Sequence, residues 1–518
     1  MLAIGKSRNP QLVSRVLRSA SAFAAAVFAV SGSAQAAYYY WSGDQSSGGS
    51  VTNPITGTWP SSTTSNWYQD SAGTTPWGVG VSPASATTTQ IQFGGAAGSS
   101  AYTVNAGAAI TINNITLDDL ASVTDTLNFT LTGSSKLAMS TNTSTSPSTA
   151  AGFVQSGSAN WNILNGGAAN APIRFNNSFT ISGAGSGNID LDVPLANNSS
   201  SSTYNFSINE TGGSTITLPV SNTSMGGSGK SFTLTNGTVD FQNGLALGNA
   251  AMAVNLNGGT LQSSTGTTLS TYTGGINLGS AITFAGPVNW SLGAGAVSVA
   301  AASTITANTA GSSGTTIAGA ITGAGGITLA SGSTGAITFT NASDAYTGAT
   351  TINGGTLFDN GDITASAVTI NSPGILAGDG TLGLPVTNYG IIAPGASTGT
   401  ADLSFVSGLG FSGSLADYNA DVDAAGQSDD LTVTGNLNLG TGTTLNVNVL
   451  DSTSGGAYTI ATYTGTLTGT FATTNLPAGY SINYGSGTDS AITLVVPEPA
   501  SLSLLAIGAA VLIRRRRR

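Results

Sequence analysis

Short alternating runs, each cut off by turn residues, dominate this chain and leave little choice of fold. Ile110-Thr111-Ile112, Leu127-Asn128-Phe129-Thr130-Leu131, Phe232-Thr233-Leu234, Val254-Asn255-Leu256 and Leu445-Asn446-Val447-Asn448-Val449 put an apolar side chain at every second position. That period belongs to a strand with one buried face. Asn-Gly, Gly-Gly and Gly-Ser pairs end such runs, and glycine accepts the backbone of a tight corner. No stretch between residues 37 and 496 keeps a helical period.

The runs recur with similar wording. Leu256-Asn257-Gly258-Gly259-Thr260-Leu261 returns as Ile352-Asn353-Gly354-Gly355-Thr356-Leu357, and Asn236-Gly237-Thr238-Val239 is a shorter echo. Tyr272-Thr273-Gly274-Gly275-Ile276-Asn277 parallels the segment from Tyr346 to Asn353. Repeated strand–corner units suit a solenoid, in which each turn buries its apolar side against the turns above and below.

Composition narrows the chemistry. The chain has 72 glycines in 518 residues, no histidine and no cysteine. Disulfides, Cys/His metal sites and a Ser-His-Asp triad are excluded. Hydrophobic residues reach 40%, which argues against disorder. The twelve basic residues sit mostly at the ends: Lys6, Arg8, Arg15 and Arg18, then Arg514 to Arg518. Between them 22 acidic residues face only Lys136, Arg174 and Lys230, so the body repels phosphate and nucleic acid is not a partner.

Residues 1–36 read as a secretory signal: a basic stretch, an apolar run from Ala20 to Val30, then Ala34 and Ala36 in a small-residue cleavage pattern before Ala37. The Sec export machinery is the expected partner. At the other end stand Val495-Val496-Pro497-Glu498-Pro499, the apolar stretch 500–513, and Arg514, Arg515, Arg516, Arg517 and Arg518. As a helix, Ala500 to Ile513 would reach about 21 Å, short for a bilayer core of roughly 30 Å. Snorkelling arginines extend its reach, and they hold their end in the cytoplasm. The predicted topology is a body outside and a tail inside, with transient anchoring in the inner membrane.

Motif, short apolar helix and arginine cluster occur in that order over residues 495–518, and together they resemble the PEP-CTERM sorting signal of Gram-negative bacteria. The resemblance implies an exosortase as partner, cleavage near Pro497-Glu498-Pro499, and delivery to the cell surface or the extracellular space. A second resemblance lies at residues 344–400. The segment Asp344 to Leu357 is similar to the autotransporter-associated β-strand repeat, with its tyrosine, Thr-Gly, Thr-rich strand, Gly corner and Thr-Leu. That resemblance implies a right-handed parallel β-helix. At about 20 residues and ~4.8 Å per turn, the array would make a rod of roughly 85 Å. No membrane barrel of amphipathic strands is expected after residue 400, so self-translocation is not.

The expected fold is therefore all-β: a right-handed parallel β-helix, or solenoid, flanked by an N-terminal signal helix and a short C-terminal transmembrane helix. The expected organisation is a signal peptide at 1–36, an aromatic N-terminal cap at 37–95, a solenoid at 96–400, terminal turns and a β cap at 401–494, and the sorting signal at 495–518.

Functional residues are few. Trp59, Trp67 and Trp77 are candidates for glycan stacking, with extracellular polysaccharide as the partner; a plain end cap is the competing reading. Gly395-Ala396-Ser397-Thr398-Gly399 has the spacing of a nucleophile elbow but no histidine to serve it. Ser228-Gly229-Lys230-Ser231 fails as a phosphate loop, because Ser224 stands where the first glycine belongs. Asp118-Asp119, Asp190 with Asp192, Asp421 with Asp423, and Asp429-Asp430 are possible oxygen ligands for calcium, but none has a calcium-loop spacing and all read as solvated turn residues. No catalytic residue, cofactor or metal is expected. The expected function is a non-enzymatic structural or adhesion protein of the cell surface or matrix. Carbohydrate binding is the alternative, and a polysaccharide-degrading β-helix a more distant one.

Overall fold

Alternation in the sequence becomes a spiral of short parallel strands. The computed structural model describes strand backbones between 38 and 150, then residues 151–496 apart from 159, 166–171, 176, 198–203, 313, 396–398, 424, 452–455 and 486–489. Every described element is a strand. The expected signal helix and the apolar stretch 500–513 lie outside the described residues.

Each turn of the spiral has three faces. On the first, Phe206–Glu210 pairs in parallel with Phe179–Gly183 below and Ser231–Asn236 above, and Ala253–Leu256, Ile276–Leu278, Val297–Ser298 and Ile321–Thr322 follow. This face does not stop there. Ala345 N–H donates to Ile321 O (2.8 Å) and Thr364 N–H to Asp344 O (3.2 Å), which carries the ladder on to Asp362–Ile363, Thr381–Leu382, Asp402–Phe405, Asp430–Val433 and Gly456–Tyr463. The second face runs from Thr126–Leu131 to Leu467–Thr468. The third holds Leu195–Asn197, Thr315–Ile317, Ala336–Phe339, Thr356–Asp359, Asp417–Val422, Thr444–Val449 and Thr473–Asn475. Val368–Gly378 and Val386–Pro394 bend round a corner and serve the second and third faces together. The described residues are thus all-β with mostly parallel sheets, the arrangement of a β-helix.

Turn length differs from expectation. Stacked side chains one turn apart are separated by 18 residues at Asn353–Asn371 but by 29 at Asn446–Asn475. Most turns exceed the expected length, because the corners carry loops of unequal size while the strands stay short.

Inward positions fill one continuous core. Phe179, Phe206 and Phe232 are fully buried in one register column, with successive ring centroids 5.7 and 5.1 Å apart, and Phe153, which aligns with Ile181, meets Phe179 edge-on at 5.5 Å. Higher in the same column stand Val254, Ile276, Val297 and Ile321, all without exposure. Outward positions form polar ladders instead: Asn236 Nδ2 donates to Asn209 Oδ1 (2.7 Å), and Asn277 Nδ2 to Asn255 Oδ1 (2.7 Å).

The repeated wording marks corners, not a fixed phase of the turn. Leu256 to Leu261 joins the first face to the second, whereas Ile352 to Leu357 joins the second to the third. Both copies bury their flanking Leu and Ile completely, and Gly259 and Gly355 take φ of 73° and 63°. A Cβ on Gly355 would meet Gly335 O at 2.6 Å. Gly355→Ala is therefore expected to cost about 1–3 kcal/mol from the positive φ and the clash. Urea unfolding measures it; an unchanged midpoint would refute the corner role.

The C-terminal end is closed by a change of strand sense. Ala491–Val496 pairs antiparallel with Gly456–Tyr463 and with Ser481–Asn483. Over the open core Phe471 stacks on Tyr418 (6.4 Å) and contacts Tyr484 (6.1 Å), while Phe471 N–H donates to the Tyr484 hydroxyl (3.1 Å).

Candidate functional site

The strand that closes the spiral also leads into the sorting motif. Val496 is the last residue of Ala491–Val496; it is 8% exposed and pairs with Gly456. Pro497 follows with no linker. Proline has no N–H and would end the ladder there in any case. Pro497-Glu498-Pro499 thus follows directly, in sequence, on the last paired residue of the folded body. Pro497, Glu498, Pro499 and Arg514 to Arg518 lie outside the described residues, as do Ala34, Ala36 and Ala37.

Trp59 ends the strand Gly57–Trp59, paired with Val104–Ala106, and Trp67 pairs opposite Trp41 in an antiparallel ladder. Those two are placed on different sheets, and Trp77 is outside the described residues. Ser397 also lies outside them. Lys230 sits after a turn closed by its own N–H to Gly227 O (3.1 Å). Arg174 Nη1 donates to Asn197 O (3.2 Å) on another turn, so these two described cations occupy separate places.

Of the acids read from sequence as solvated, Asp429 is buried and Asp190 and Asp430 are half-buried. Asp429 is 1% exposed: its Oδ1 accepts Ala401 N–H and its Oδ2 accepts Asp421 N–H, both at 2.9 Å. It therefore straps two segments together. Burial, reinforced by Asp421 and Asp402, pushes its carboxyl up to about 7. Asp430 beside it is raised to about 6 by burial and by Asp402. Asp190 is raised by burial and by Asp192 and Asp240. Asp423 does hold a turn, accepting Ala425 N–H (2.9 Å) and Gln427 N–H (2.8 Å). Asp118 and Asp119 lie outside the described residues.

Three more buried acids escape sequence reading. Glu210 is 1% exposed, neither oxygen has a partner among the described residues, and burial lifts it to about 7. Asp344, without exposure, accepts Ile321 N–H (2.7 Å) and is raised to about 6 by burial and Asp362. Asp359, also without exposure, is raised well above the usual carboxylate range by burial, then by Asp344, Asp362 and Asp379. No group of three or more acids among the described residues is placed to hold a metal.

Fold and junction together define a class: an acidic parallel β-stack joined without linker to a C-terminal sorting segment. Residues 495–518 match the family model of the PEP-CTERM protein-sorting motif, which signals exosortase-dependent export to the cell surface in Gram-negative bacteria. None of the curated proteins compared with the chain matches it.

Proposed function

We propose that the chain is an exported, non-enzymatic rod of the cell surface or extracellular matrix, serving as a spacer, adhesin or scaffold. In this reading residues 1–36 are a signal peptide read by the Sec machinery. The spiral is a right-handed β-helix, the hand that twisted strands favour, and residues 344–400 are an autotransporter-type repeat. Residues 500–513 anchor the precursor in the inner membrane, with Arg514 to Arg518 inside, until an exosortase cuts near Pro497-Glu498-Pro499.

The match at 495–518, directly after the capping strand, carries the proposal. The second face, paired without a break from Thr126–Leu131 to Leu467–Thr468, supports the rod, and the bonds that Asp429 and Asp344 make to distant segments support a structural part for those acids.

Mass spectrometry of the surface protein from exosortase-bearing cells tests it. The mature chain is expected to begin at Ala37 and to end between Val496 and Pro499. Recovery of Arg518 in the finished protein would sink the processing step; recovery of Met1 would sink the signal peptide.

A further inference from the structure

The outer side of the third face changes character over a few turns. Strand register aligns Phe358 with Ala377, and Ala377 with Ala393. One turn later the same column continues as Asn419 and then Asn446. Beside it, Asp421 aligns with Asn448. A groove of about 540 Å³ lies over this transition, apolar at one end and amide-lined at the other.

Hydrogen bonds fix the polar half. Asn446 Nδ2 donates to Asn419 Oδ1 (2.8 Å), and Asn448 Nδ2 donates to Asp421 Oδ1 (3.1 Å). A primary amide has a second N–H and spare lone pairs, so each ordered amide keeps capacity for a ligand. The backbone is not available: N–H and C=O groups of this face are spent on the strands above and below. Strand addition by a peptide therefore has no edge to use here.

Charge selects further. No lysine or arginine lines the groove, whereas Asp421 and Asp429 do. An acidic polymer is repelled. A sugar ring presents a C–H face to apolar side chains and hydroxyls to amides, which is the mixture displayed. The stack also repeats its side chains every ~4.8 Å, close to the length of one pyranose unit.

We propose that this groove binds a neutral polysaccharide laid along the stack, with rings against Phe358 and Ala377 and hydroxyls on Asn419, Asn446 and Asn448. The site differs from the N-terminal tryptophans, and it rests on the reading of the protein as exported.

Affinity electrophoresis of the exported protein tests it, in gels carrying dextran, hydroxyethylcellulose, galactomannan or polygalacturonate. Retardation is expected in at least one of the three neutral polymers and not in polygalacturonate. Phe358→Ala and the double change Asn419→Ala with Asn446→Ala are each expected to weaken retardation at least tenfold. Should either variant melt early, the exposed Asn448→Ala, expected to weaken it at least threefold, decides instead. No retardation in any neutral polymer, preference for polygalacturonate, or variants that run like the parent would overturn the proposal. The C-terminal mass of the same sample is read in parallel. An intact Arg518 with retardation sinks the sorting reading alone; a processed end without retardation sinks the groove alone.

Discussion

Thermal unfolding of the exported protein is expected to move upward by several degrees as pH falls from about 8 to about 5. The cause is the set of buried acids. Glu210 and Asp429 are raised to about 7 and Asp344 and Asp430 to about 6, from ordinary values of 4.5 for the glutamate and 3.8 for the aspartates, and burial raises Asp359 in the same direction. Between those limits the folded chain holds protons that the unfolded chain has released. Stability therefore falls as pH rises from about 4 through about 7. Each unit of separation is worth about 1.4 kcal/mol, so the combined effect is on the order of several kcal/mol. The acids of the body repel one another less at low pH, which adds in the same direction. Glu210→Gln is neutral at every pH. It is expected to raise the melting temperature at pH ~8 and to flatten part of the slope. A melting temperature that stays level or drops on acidification would refute this account.

Truncating the phenylalanine column is expected to be the most damaging single change. Phe206 has no exposure and lies between Phe179 at 5.7 Å and Phe232 at 5.1 Å. Phe206→Ala opens a cavity in contact with the turn below and the turn above, at a cost of about 3–5 kcal/mol. In a one-dimensional array the loss is felt mainly by neighbouring turns. Hydrogen exchange should accelerate most in Phe179–Gly183 and Ser231–Asn236, and much less in Asp430–Val433. Uniform acceleration along the chain would show one cooperative unit and contradict the picture.

Alternation was the legible part of the fold. Val254, Leu256, Ile276 and Leu278 are all buried, as a period of two predicts. Corner glycines were legible as well, at Gly259 and Gly355. Which corner each glycine turns was not, since the same Asn-Gly-Gly-Thr wording serves two different corners. A local backbone shape has no memory of its phase in the turn. Asp429 and Asp359 were illegible for a related reason. Alternation points both inward, since Asp359 keeps step with Leu357 and Asp429 with Leu431 and Val433, but nothing local shows what satisfies a carboxylate there; the bond from Ala401 N–H to Asp429 comes from a distant segment. The Asn419 and Asn446 column was hidden in plain alternation, and became visible only when register put the two strands side by side. The sorting segment was legible outright, because its order of motif, apolar run and arginines is itself linear.

The antiparallel strand Ala491–Val496 has a consequence for timing. Most contacts in the stack join a turn to the next, so a chain emerging N-terminus first through a membrane can add turns one at a time. The cap is different. Gly456–Tyr463 waits for Val496, the last residue before the prolines, before its outer edge is covered. On the proposed export route, closure of the cap records that the body has fully crossed, and it does so at the doorstep of the cleavage point.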